Sequence, residues 1–136
     1  MSSESLTLAA QRDLERIRDV IEELTGLLSR WSGRFTVAPT SADYWGVKLW
    51  SCDIRIREDI LQDIGRRWTT LIHESLHAVS IGMRPEVYLA NRGWEEGVVE
   101  QCQRLLRGQI LDSLQVAIDN ARLQEIDRTN VIMMSS

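Results

Sequence analysis

Residues 69–79 read Thr69-Thr70-Leu71-Ile72-His73-Glu74-Ser75-Leu76-His77-Ala78-Val79. His73 and His77 are the only histidines in the chain, and they stand four residues apart with an acid directly after the first. In a helix, residues i and i+4 lie one turn apart on the same face. Around this stretch, Ile60, Ile64, Trp68, Leu71, Leu76 and Val79 recur at helical spacing. The spacing predicts a helix that begins near Asp59 or Arg66 and runs to Ser80, with Gly65 as a point of division and Gly82 and Pro85 marking its end. Its flanks are apolar enough to bury it. A buried face with two His and one Glu, none of them paired, is costly, and a metal ion removes that cost.

Upstream, residues 48–57 alternate. Trp50, Cys52, Ile54 and Ile56 share one face, and Ser51, Asp53, Arg55 and Arg57 share the other. A period of two predicts a half-buried strand at or near a sheet edge. Residues 34–38 predict a short strand before a turn at 39–42. Leu14, Ile17, Ile21, Leu24 and Leu28 predict an amphipathic helix over 6–31, stopped by Ser32-Gly33. Downstream, Trp94, Val98, Cys102 and Leu105 or Leu106 predict a helix over 94–107, ended by Gly108. A last amphipathic helix follows from 109 to about 124 and closes the segment 109–126. The tail 127–136 carries four apolar residues in a row, Val131-Ile132-Met133-Met134. With 136 residues and no internal repeat, the chain reads as a single α+β domain over 1–136.

Composition narrows the function classes. With 43% hydrophobic and 26% charged residues, the chain matches a soluble globular protein and not a disordered one. No apolar run is long enough for a membrane span, and the N-terminal stretch lacks the apolar segment of a signal peptide. A net charge of −4 without a basic block makes the chain a poor nucleic-acid binder. All but one of its 16 cationic side chains are Arg, Lys48 being the exception, which reads as coding bias. Two cysteines, Cys52 and Cys102, are too few for a disulfide framework, so reduced thiols in a cytoplasm are expected.

The HExxH pattern at 73–77 is where chemistry concentrates. Two imidazoles on one helix face can reach one metal ion, and Glu74, one step round the helix, can take a proton from a water held there. Two His do not suffice for a catalytic zinc, which takes three protein ligands and an open position. Candidates for the third are Cys52, Cys102 and the carboxylates. In Trp94-Glu95-Glu96-Gly97-Val98-Val99-Glu100, Glu96 and Glu100 stand one turn apart. Glu96 could ligate through an oxygen, and Glu100 could accept a hydrogen bond from a ligating His. Glu95 points elsewhere. Cys102 falls about 120° round from Glu96 on the apolar side, and Cys52 falls with Trp50 and Ile54 on the apolar strand face; both read as core. Of the five tryptophans, Trp45 is the one expected at the surface.

HExxH, then 18 residues (78–95), then a Glu inside an E-G-x-x-E segment resembles the gluzincin clan of zinc metallopeptidases. The resemblance covers residues 45–106. It implies that His73, His77 and Glu96 bind Zn2+, that Glu74 is the general base and that Glu100 supports a His ligand. It also implies a zincin-like fold, with a short sheet whose edge strand packs on the active-site helix, a Glu helix beside it and flanking helices. In size the chain is similar to the minigluzincins, which are latent as isolated with the C-terminal segment lying in the cleft. A weaker resemblance is to the small HExxH peptidases that cleave repressors. Gluzincins often place a Tyr or His after the Glu helix to stabilise the oxyanion. Here Tyr44 and Tyr88 both precede it, so Tyr88 is an oxyanion candidate beside Arg84 and Arg92, with packing as its other role.

The expected function is a small soluble zinc metallopeptidase acting on a peptide or protein substrate in the cytoplasm, with no nucleic-acid or membrane partner. Its strand at 48–57 would accept substrate as an added strand, or would be an ordinary edge protected by Lys48, Arg55 and Arg57. A zinc-binding regulatory protein on the same fold is the alternative, and an intact Glu74 speaks against it. Hydrolysis of another amide is a third, resembling the peptide deformylases, whose third ligand is an upstream Cys; Cys52 lies 21 residues before His73. The oligomeric state is open. The apolar tail can lie in this chain's own cleft, bury against a neighbour or remain disordered.

Overall fold

The computed structural model describes residues 3–79 and 92–134, with side chains described over 4–79 and 97–129. Helix α1 (Ser3–Thr25) is followed by strands β1 (Phe35–Ala38), β2 (Gly46–Lys48) and β3 (Ile54–Arg57). Helices α2 (Glu58–Gln62), α3 (Ile64–His77), α4 (Arg92–Ser113) and α5 (Asn120–Met134) complete the order. The fold is a small α+β domain, and among the described residues no helix is long and apolar enough to cross a membrane.

Helix α1 buries Ala10, Leu14, Ile17 and Ile21, which sit three and four residues apart. It ends six residues short of the expected boundary. Gly26 takes a left-handed φ of 70° and its N–H bonds the Glu22 carbonyl at 2.9 Å, closing the helix. Leu28, expected on the buried stripe, is 83% exposed as a result.

The sheet has order β1-β3-β2, with β1 parallel and β2 antiparallel to β3. Register pairs Phe35 with Ile54 and Val37 with Ile56. Phe35, Ile54 and Ile56 face the core, while Arg55 turns outward and its Nε donates to Thr36 Oγ1 at 3.1 Å. The single strand expected over 48–57 is a hairpin. Cys52 adopts φ 67° in the turn, and its N–H donates to the Leu49 carbonyl at 2.8 Å. Folding back lets 46–48 and 54–56 pair with each other, which supplies ladder bonds a lone extended segment lacks. This corrects three expectations. Among the described strands β3 is central and β2 is an edge. Cys52 lies in a turn, not on a strand face. Among the described residues Trp50 is the exposed tryptophan, 56% accessible, whereas Trp45 is buried with the Arg66 guanidinium 5.3 Å above its ring.

Helix α3 is the central element, touching α1, α2, α4, α5, β2 and β3. The break before it falls at Asp63, whose carboxylate accepts the Arg66 N–H at 3.1 Å as an N-cap. Gly65 is not the break. A Cβ there would lie 2.6 Å from Ile126 Cδ1, so its hydrogen is what admits α5 across the start of α3. Downstream boundaries also move. Gly108 is inside α4, which continues to Ser113, and residues 114–119 form a connection where a helix was expected. Asp119 then caps α5, its carboxylate accepting the Ala121 N–H at 3.0 Å. Residues 127–134 continue α5 in place of a tail.

Candidate functional site

Helix α3 buries an unbroken run from Trp68 to His77, because it is covered on every side by other elements. His73, Glu74 and His77 are 3%, 5% and 5% exposed. The two imidazole rings stand edge to face, with centroids 4.9 Å apart and planes at 70°. His73 Nε2 is 4.0 Å from Glu74 Oε2. The arrangement is what the spacing predicts: a pair of imidazoles one turn apart with a carboxylate beside them.

Helix α4 brings the next group. Glu100 Oε2 lies 3.3 Å from His73 Nδ1. Burial pushes the Glu100 carboxyl up, but the contact with His73 and its charge, the Gln103 amide and the Arg104 guanidinium outweigh it and hold the carboxyl below its ordinary value of 4.5. A carboxylate 3.3 Å from Nδ1 favours a proton on that nitrogen, which would leave Nε2 with its lone pair. Glu100 Oε1 in turn accepts from Gln103 Nε2 and lies 3.6 Å from Arg104 Nε.

Edge strand β2 closes one side. A Cβ on Gly46 would come within 2.7 Å of Thr70 Cγ2 and 3.3 Å of Glu74 Cγ, so the backbone of β2 runs against the same face of α3 that carries Glu74. Thr70 Oγ1, one turn before Glu74, is buried with no hydrogen-bond partner among the described residues.

Of the residues singled out from sequence, His73, Glu74, His77 and Glu100 are brought together. Glu96 lies in α4 one turn before Glu100, and its side chain is outside the described residues, as is that of Glu95. Tyr88 and Arg84 lie wholly outside the described residues, and Arg92 is described in its backbone alone. Among the described residues no group of three or more His, Cys, Asp and Glu side chains could hold a metal ion. The described donor set is thus the imidazole pair of His73 and His77. Cys102 is half-buried against the core, as expected, and both cysteines are free thiols.

Sequence reasoning missed Gln103, Arg104 and Gly46. Gln103 and Arg104 follow Glu100 at i+3 and i+4, a spacing that could have marked them as its neighbours. Gly46 carried no signal, since its role depends on how a hairpin meets a helix. No family profile, curated protein or solved structure matches the chain.

Proposed function

We propose that the protein is a small zinc-dependent peptidase of the gluzincin type, acting on peptide or protein substrates. The observation that carries this reading is the buried face of α3, where His73, Glu74 and His77 stand together while Glu100 backs His73. The donor chemistry suits zinc. Two imidazoles lie one turn apart, and one has its far nitrogen against a carboxylate. Glu96 would complete the protein ligands from the adjoining turn of α4.

When bound, zinc would polarise the scissile carbonyl and make water a stronger acid. Glu74 then takes a proton from the attacking water and returns it to the leaving amine nitrogen. Its burial beside two imidazoles suits it to that exchange. Among the described strands β2 is an edge that runs along the Glu74 face, so an extended peptide would add there and not to the central β3. Tyr88, Arg84 and Arg92 are the candidates for supporting the oxyanion.

Metal analysis tests the ligand set. The purified protein should hold about one zinc per chain, and His73→Ala, His77→Ala and Glu96→Ala should each lose most of it. Cys52→Ser and Cys102→Ser should keep it. Glu74→Gln should retain zinc and abolish cleavage of an unstructured substrate, because Gln accepts no proton. Zinc retained in Glu96→Ala but lost in Cys52→Ser would overturn the assignment. Full zinc with no cleavage by the wild type, with or without its last residues, would favour the zinc-binding regulatory protein.

A further inference from the structure

We propose that Gln103 is a positioning residue that holds Glu100 in the orientation which fixes the ring of His73. The consequence for metal binding rests on the zinc reading above; the geometry does not.

Gln103 is fully buried. Its Nε2–H donates to Glu100 Oε1, while its own Oε1 has no hydrogen-bond partner among the described residues. An amide buried with an unmet acceptor is destabilising. Met or Leu would fill similar space without that penalty. What the amide contributes is occupation of one carboxylate oxygen.

Glu100 has two oxygens that rotation about its last bond would exchange. Arg104 alone does not fix them. Its Nε is 3.6 Å from Glu100 Oε1 and 3.7 Å from Asp127 Oδ1, so its charge is divided between two carboxylates. Among the described residues, Gln103 is a donor to Glu100 that is fully enclosed by the fold. With Oε1 held, Oε2 faces His73 Nδ1 at 3.3 Å. That placement favours the proton on Nδ1, with the Nε2 lone pair directed away from Glu100. Without the amide, Glu100 is drawn toward Arg104 and His73 loses the group that selects its tautomer.

Nitrogen NMR of metal-free protein with 15N-labelled histidine reads this directly, at a pH where both rings are neutral. His77→Gln assigns the two rings. Wild-type His73 should be in the Nδ1–H form. Gln103→Met should shift it toward a mixture with the Nε2–H form, and chelator competition should show zinc binding weakened about 10- to 100-fold. Glu100→Ala should do the same, and adding Gln103→Met to it should change neither reading further, because Gln103 acts through Glu100. A merely structural role would lower the melting temperature without moving the tautomer. An unchanged tautomer in Gln103→Met, or an equal further shift in the Glu100→Ala background, would overturn the proposal. If Gln103→Met does not fold, Gln103→Asn retracts the amide by one methylene and is read the same way. A wild type that binds no zinc would defeat the peptidase reading, and the tautomer would still decide the role of Gln103.

Discussion

At Gly46, a hydrogen in place of a side chain sets how closely the edge strand approaches the helix that carries Glu74. A Cβ there would lie 2.6 Å from Ile56 Cδ1 and 2.7 Å from Thr70 Cγ2. Both are ends of side chains, but Ile56 is fully buried and Thr70 nearly so, and neither has open space to swing into. Gly46→Val therefore has to push β2 away from α3. Overpacking of this kind costs about 1–3 kcal/mol. The expected outcome is a lower denaturant midpoint with an unchanged m-value. On the proposed peptidase reading, peptide cleavage assayed where the variant is still folded should fall while zinc content holds, because the strand proposed to take substrate moves and the imidazoles do not. An unchanged midpoint would mean that the contact is looser than the geometry states.

Among elements, the start of α3 joins capping to charge. Asp63 accepts the Arg66 N–H and pairs with Arg122 from α5. Burial raises its carboxyl, yet the Arg66 N–H, the Arg122 hydrogen bond and the two guanidinium charges outweigh this and hold it below its ordinary value of 3.8. A carboxyl depressed in the folded state stabilises fully above its unfolded value and loses that contribution as pH falls through the folded one. Asp63→Asn keeps a capping oxygen and loses the charge, so it should be less stable than wild type at pH 7. The gap should close as pH falls below about 4. Asp63→Ala also loses the cap, and its further deficit of about 1 kcal/mol should persist in acid. Parallel acid-unfolding curves for wild type and Asp63→Asn would refute the charge argument. The same region shows what a single sequence reveals. α3 was legible because its apolar residues recur at one period and its two histidines fall on one face. The division at Asp63 was displaced to Gly65, since glycine signals a break locally, while here it makes room for Ile126 from the far end of the chain. Residues 48–57 alternate as one strand would, and only pairing with 46–48 reveals the turn. Glu100 was found from its spacing. Gln103 was not, because a buried glutamine looks like any solvated one until its partner is known.

Over the whole molecule, α5 fastens the two ends of the candidate site together. Arg122 reaches Asp63 at the start of α3, Ile126 fits over Gly65, and Asp127 holds Arg107 of α4 with bonds of 2.6 and 2.8 Å. Glu100, Arg104, Asp127 and Arg107 alternate in sign through a largely buried layer, so α5 stabilises the layer that backs His73. Residues 127–134 thus belong to a helix, and shortening the chain has two separable effects. A chain ending at Ile126 lacks Asp127 and leaves the Arg107 guanidinium, 10% exposed, without its carboxylate. Removing one partner of a buried pair costs about 3–5 kcal/mol, and partial exposure of Asp127 places the expected loss near the lower figure. A chain ending at Thr129 keeps Asp127 and should melt close to the full-length protein. If the protein is the proposed peptidase and the apolar residues 131–134 hold it latent, the 1–129 chain should cleave an unstructured substrate faster than the full-length chain at equal zinc content, and the 1–126 chain should lose stability whatever its activity. Melting curves of the three chains decide the structural part. Equal stability of the 1–126 and 1–129 chains would remove Asp127 from its place in the fold. Equal cleavage by the 1–129 and full-length chains would remove latency.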